Sequence, residues 1–269
     1  MRIFLSCFML LLVATVFSQK DRTTKDTLVV KIDSLYREDQ FYFSITYNTL
    51  IDKPAGLSQR KFSSGFSGGF LRDMPINRKR TIAVASGIGF TYNNYNQNMA
   101  ISGTAETPLY TLISSDTKYS KNKFTTLSFD VPVEFRWRTS TYESHKFWRI
   151  YTGIKFSYVL YDKSVFNSSL GKVSINGNKD FNKLQYGAYI SSGYNTFNLY
   201  AYYGLNSLFT SAKINDEAVN MKAFNLGIIF YILDFILLRK TNKNNIDDKL
   251  ILWLNNQEKD LKIATVPYH

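Results

Sequence analysis

One stretch of the chain restricts its fold more than any other. From Phe124 to Trp137 the odd positions hold Thr125, Leu127, Phe129, Val131, Val133, Phe135 and Trp137, while the even positions hold Thr126, Ser128, Asp130, Pro132, Glu134 and Arg136. Successive side chains of a strand point to opposite faces. This segment therefore has one apolar face and one polar face with three charges, a separation that a period of 3.6 cannot produce. Phe147–Tyr161 repeats the pattern, with Trp148, Ile150, Ile154, Phe156, Tyr158 and Leu160 against Arg149, Tyr151, Gly153, Lys155 and Ser157. Six weaker segments follow the same rule: Gln40–Leu50, Phe62–Asp73, Thr81–Tyr95, Lys183–Tyr194, Phe197–Phe209 and Met221–Leu233.

Eight such segments fit the ~9–11 residues that a strand needs to cross a bilayer. Aromatic residues make up 16% of the chain, yet its mean hydropathy is −0.20. Greasy on one face and wet on the other is the composition of a barrel in lipid with a polar interior. Tyr47, Tyr92, Trp137, Trp148, Tyr158 and Tyr194 stand toward strand ends, where an aromatic girdle belongs. Glycines fall repeatedly on the polar face, as a narrow and sharply curved interior requires. Connections alternate between short (Met74–Arg80, Thr139–Lys146, Asn195–Thr196) and longer (Ile51–Lys61, Asn96–Lys123, Asp162–Asn182, Thr210–Asn220). Short turns face the periplasm and long loops face outward in such barrels, which places both termini in the periplasm. The expected fold is all-β, an eight-stranded antiparallel up-and-down transmembrane β-barrel over residues 39–234 with a short C-terminal amphipathic helix. A soluble lipocalin-like barrel has similar alternation, but its lumen could not hold so many large apolar side chains.

The N-terminus sets the compartment. Arg2 precedes an apolar run from Ile3 to Phe17, and Val16-Phe17-Ser18 offers a cleavage site before Gln19. Residues 1–18 read as a signal peptide, too short to span as a helix. Cleavage removes Cys7, the only cysteine, so the exported chain has no disulfide or thiol chemistry. The formal charge of +12 falls to about +11 without Arg2. In an exported protein that charge points to an anionic lipid surface or an acidic partner and away from nucleic acid. Residues 19–38 form a periplasmic arm. Residues 235–269 form a periplasmic tail with a helix near Asn245–Asn256, where Ile246, Leu250, Trp253 and Leu254 recur at helical spacing as a possible partner-docking stripe.

Five charges fall on the polar face: Asp130, Glu134, Arg136, Arg149 and Lys155. In so narrow a lumen they must be paired, and the expectation is a salt-bridge network that plugs it, with a narrow pore as the alternative. Enzymatic chemistry finds no support. The two histidines, His145 and His269, cannot combine with a serine and an acid near the outer rim, and there is no HExxH, Walker loop or clustered metal ligands. No catalytic, cofactor-binding or metal-binding residue is assigned, and no cofactor is expected.

Three stretches carry a resemblance: Gln40-Phe41-Tyr42-Phe43-Ser44-Ile45-Thr46-Tyr47-Asn48, Phe66-Ser67-Gly68-Gly69-Phe70-Leu71-Arg72-Asp73-Met74-Pro75 and Phe224-Asn225-Leu226-Gly227-Ile228-Ile229-Phe230-Tyr231. In these the chain resembles PorT-type outer-membrane barrels of Bacteroidota, across about residues 39–234. The resemblance implies an eight-stranded barrel with periplasmic termini and a part in type IX secretion and gliding, without catalytic residues to carry over. Two functions follow as expectations. One is a non-enzymatic accessory or assembly component of type IX secretion, meeting its secretion partners through arm and tail. The other is a small transport or ligand-binding barrel using its external loops, chiefly Asn96–Lys123.

Overall fold

The computed structural model describes residues 39–59, 61–114, 117–139, 147–169, 171–195 and 197–233. The expected signal peptide, the arm, His145, and the tail with its helix and its docking residues Ile246, Leu250, Trp253 and Leu254 lie outside them.

The strands in chain order are β1 (Gln40–Ile51), β2 (Ser64–Pro75), β3 (Ile82–Asn96), β4 (Met99–Gly103), β5 (Pro108–Leu112), β6 (Tyr119–Arg138), β7 (Trp148–Ser168), β8 (Gly171–Asn176), β9 (Leu184–Tyr194), β10 (Phe197–Gly204), β11 (Lys213–Ile214), β12 (Glu217–Ala218) and β13 (Lys222–Leu233). Nine of them form one sheet: eight run in the order β6-β3-β2-β1-β13-β10-β9-β7 and close where β6 pairs with β7, and β8 adds to β7 beyond the closed part. Every pairing is antiparallel. The first and last strands meet along their whole length, from Gln40↔Leu233 to Ile51↔Lys222. Closure satisfies every strand edge within the band, which lipid demands of a spanning sheet.

The period of two survives closure. In β1, Gln40, Tyr42, Ser44, Thr46 and Asn48 are buried, while Phe41, Phe43, Ile45 and Tyr47 are exposed on the outside. Large apolar residues exposed on the outer wall are what a lipid-facing surface requires. The six girdle aromatics, Tyr47, Tyr92, Trp137, Trp148, Tyr158 and Tyr194, are all on it. Inside, two glycines make room for a ring. A Cβ on Gly69 would stand 2.8 Å from Cε1 of Tyr42, and one on Gly89 would meet the Tyr42 hydroxyl.

Three strand limits differ from the expectation, for physical reasons. β6 and β7 run well beyond Phe124–Trp137 and Phe147–Tyr161, because hydrogen-bonded pairing continues after the outer face turns polar at Lys121, Lys123 and Lys163. β10 stops at Gly204, and Leu208 and Phe209 bury instead in a cluster formed by the loops. In β7, Leu160 is an extra residue: Leu127 pairs with Tyr161 and Ser128 with Val159. Such a bulge shifts the phase by one, so Tyr158 and Tyr161 both face outward.

Candidate functional site

The lumen has three layers. At the end with the short turns, Asp73 of β2 accepts from Nη1 of Arg136 at 3.0 Å and from Nη1 and Nη2 of Arg138 at 2.9 and 2.8 Å. Nε of Arg136 donates to Glu134 at 2.7 Å, and the Tyr189 hydroxyl donates to the other Glu134 oxygen at 2.8 Å. Arg136 also lies over the Tyr151 ring, 4.7 Å from its centre. The same parity that turns Phe135 and Trp137 to lipid aligns Glu134, Arg136 and Arg138 inward on β6.

Midway, Lys155 stands 3.4 Å from Asp130. The other Asp130 oxygen accepts from Ser128 at 3.0 Å, the hydroxyl of Thr91 also donates to this carboxylate, and Lys155 lies over Tyr202, 4.8 Å from the ring centre. Between the two charged layers remains a cavity of about 20 Å³ against Tyr42, Glu134, Lys155, Tyr189 and Tyr200. That volume accommodates a single water.

At the opposite end, expected to face outward, the long loops fold over the mouth. Phe181 and Phe209 lie 4.6 Å apart between ring centres, Phe124 is 5.5 Å from Phe181, and Tyr110 is 5.6 Å from Phe209. Leu50, Met99, Ile101, Leu208 and Met221 complete this apolar cap. Each buried ring contributes about 2 kcal/mol by area alone. Polar contacts stitch the loops together: Asn182 N donates to Leu208 O at 2.9 Å, Thr210 N to Asp180 O at 2.8 Å, and Lys179 N to Ala105 O at 3.0 Å. Asn178 joins Tyr110 at 2.9 Å to Asp162, whose carboxylate accepts from Asn178 N at 2.8 Å and from Lys183 at 2.7 Å. Burial pushes the Tyr110 hydroxyl above its ordinary range, so it stays protonated, accepting from Asn178 Nδ2 and donating to Asn178 Oδ1 at 3.2 Å. Outside the cap, a crevice of about 310 Å³ opens between the β1–β2 loop and the excursion after β3, lined by Gly56, Ser58, Asn98, Ile113, Ser114, Thr117 and Tyr119.

All five charges singled out in the sequence are buried in the lumen. Four join two networks, Glu134 with Arg136 and Asp130 with Lys155. Arg149 departs from the expectation that every charge is paired. Among the described residues its Nε and Nη1 meet no hydrogen-bond partner, and its guanidinium lies 4.5, 5.6 and 5.7 Å from the ring centres of Phe147, Tyr231 and Tyr151. The register explains this: opposite Arg149 stand Arg138 and Gly193, neither of which brings a carboxylate. Sequence reasoning missed Asp73 and Arg138. Parity could have found both, since Arg138 continues the inward row of Glu134 and Arg136, and Asp73 follows Leu71 at the same spacing. Among the described residues no group of three or more His, Cys, Asp or Glu is placed to hold a metal ion.

A family profile described as outer membrane protein beta-barrel domain matches residues 17–210, more than half of the chain. The chain belongs to that family. Its place is the bacterial outer membrane, which it crosses with the eight strands described above. A search of curated proteins finds no match. Among solved structures, the chain is similar to Ail, the attachment invasion locus protein of Yersinia pestis, in complex with the heparin analogue sucrose octasulfate. The two are 14% identical, with 74% of this chain and all of that one covered, at a TM-score of 0.36. A second structure of Ail matches at 13% identity, covering 74% of this chain and all of that one, with a TM-score of 0.34.

Proposed function

We propose that this family member is a closed, non-conducting and non-enzymatic barrel that works through the surfaces it presents, chiefly its capped outer loops. One observation carries the reading: an ion-paired layer and an apolar cap close the lumen at two levels, and the cavity between its two charged layers holds about 20 Å³. A solute path would need the Asp73–Arg138 layer and the Phe181–Phe209 cap to part together. The outer crevice supports a binding role, because its volume of about 310 Å³ lies within the range of small-ligand sites and it lies along the excursion after β3. Planar-bilayer recording of the folded protein tests the reading. Silence or rare small steps are expected, and reproducible large open channels overturn it.

A part in type IX secretion is the second reading, and the strand motifs of β1, β2 and β13 favour it. It would act through arm and tail. Deletion separates the two: loss of secretion and gliding with normal growth supports the secretion role, and normal secretion removes it.

A further inference from the structure

The outer rim is lopsided. Beyond the apolar band, β6, β7 and β8 continue as a three-stranded ribbon in the registers Lys121↔Asn167↔Lys172, Lys123↔Val165↔Ser174 and Thr125↔Lys163↔Asn176. Directly opposed residues share a face, so these nine residues form one face of the ribbon, with four lysines and no acid. The reverse face carries Asn122, Phe124, Ser164 and Ile175, buried toward the cap, with Phe166 and Val173 half-buried, while on the lysine face Thr125 and Val165 are buried at its centre.

The phase decides where the lysine face looks. β6 keeps one parity from Trp137 to Lys121, and the Leu160 bulge puts Tyr161, Lys163, Val165 and Asn167 on the matching side of β7. The lysines therefore continue the lipid-facing rows. Lys123 lies four residues before Leu127 and Lys163 two after the exposed Tyr161. At about 3.3 Å per residue they stand roughly 7–13 Å above those two side chains along the strands, and flexible stems let the ammonium groups adjust in depth. Elsewhere on the outer side, Lys179, Lys183 and Lys222 are matched with Glu106, Asp162 and Asp52. Among the described residues, none of Lys121, Lys123, Lys163 and Lys172 has an acidic partner. None of the four lysines directly opposes another, but four like charges on one face repel one another unless counter-charge arrives from outside, and what adjoins this face at this height is the headgroup layer.

We propose that Lys121, Lys123, Lys163 and Lys172 form a binding face for the phosphate groups of anionic lipids in the outer leaflet, anchoring this side of the barrel to the membrane surface. Phosphate is the fitting chemistry because an ammonium is a compact point charge with three donors. The lipid is its source because the face is coplanar with the lipid-facing wall and turned away from the cap.

The test uses the folded full-length chain in bilayers of phosphatidylcholine, with and without phosphatidylglycerol, at low ionic strength. The anionic lipid should raise the Tm by on the order of 5 °C. The variant Lys121→Gln/Lys123→Gln/Lys163→Gln/Lys172→Gln should lose that rise, and Lys53→Gln/Lys213→Gln, on exposed loops elsewhere, should keep it. Persistence of the rise in the quadruple variant, or equal loss in the control, overturns the proposal. So does an equal rise of the wild type in phosphatidylcholine bathed in inorganic phosphate, which would assign the site to free anion. If the quadruple variant does not fold, acylation of wild-type lysines read by mass spectrometry decides. Phosphatidylglycerol should slow modification of the four several-fold relative to Lys53 and Lys213, and equal slowing refutes the assignment.

Discussion

Arg138 of β6 grips Asp73 of β2 with two parallel hydrogen bonds of 2.9 and 2.8 Å, across 65 residues of sequence and with both side chains fully buried. Arg136 shares the same carboxylate. Replacing Asp73→Asn leaves two buried guanidiniums facing a neutral amide, and removal of one partner from a buried pair costs about 3–5 kcal/mol. Urea unfolding in detergent should show that loss. The double variant Asp73→Asn/Arg138→Met should recover part of it, since it removes one stranded charge.

Arg149 and Arg136 should respond oppositely to the same substitution. Among the described residues, Arg149 lies against the rings of Phe147, Tyr151 and Tyr231, in a layer where Asp73 and Glu134 are engaged by Arg136 and Arg138. Arg149→Met removes the surplus charge while keeping an apolar stem, and is expected to be neutral or stabilising. Arg136→Met strands Glu134 and part of Asp73 and should cost about 3 kcal/mol or more. Midpoints of unfolding for the two variants check this. A larger loss from Arg149→Met than from Arg136→Met contradicts the assignment.

The Tyr42 ring occupies space that Gly89 leaves open, and a Cβ there would also stand 2.8 Å from the Gly68 carbonyl. Gly89→Ala should destabilise the barrel by about 1–3 kcal/mol through overpacking. Tyr42→Phe in the Gly89→Ala background should restore a fraction, because only the hydroxyl clash is relieved. Unfolding midpoints measured side by side decide the point.

The cap should fail separately from the wall. Phe181→Ala and Phe209→Ala each remove a ring that packs against the other, against Phe124 and, for Phe209, against Tyr110. Limited proteolysis is expected to cut within residues 97–113 and 205–221 in these variants while the strands stay protected. Because the charged layers below remain, conductance should stay low. Strand cleavage at the same rate as loop cleavage would show that cap and wall unfold together.

How much of this was written locally follows from parity. Which face of β1 or β6 meets lipid depends only on neighbours two residues away, so Phe41, Phe43 and Ile45 announced the outer wall, and Asp130, Glu134, Arg136, Arg149 and Lys155 announced the lumen, from the order of residues alone. Loop lengths, read in the same local way, set the expected orientation, and the structure gathers the long loops at one end of the barrel. The phase change at Leu160 was not legible, because a bulge is defined against a partner strand. Nor was the stop of β10 at Gly204, since the alternation runs on while Phe209 is drawn into contacts with Tyr110, Phe124 and Phe181, up to 99 residues away along the chain.

The chain by itself therefore determined a closed β-barrel, its lipid-facing side and the membrane that holds it, because a two-residue rhythm acts over a few ångströms. Only the tertiary structure decided that Asp73 serves both Arg136 and Arg138, that Arg149 is left among rings, that three loops seal the mouth, and that four lysines from three strands share one face. Each of these depends on how strands are staggered when the sheet closes, and stagger brings together residues that no local period relates.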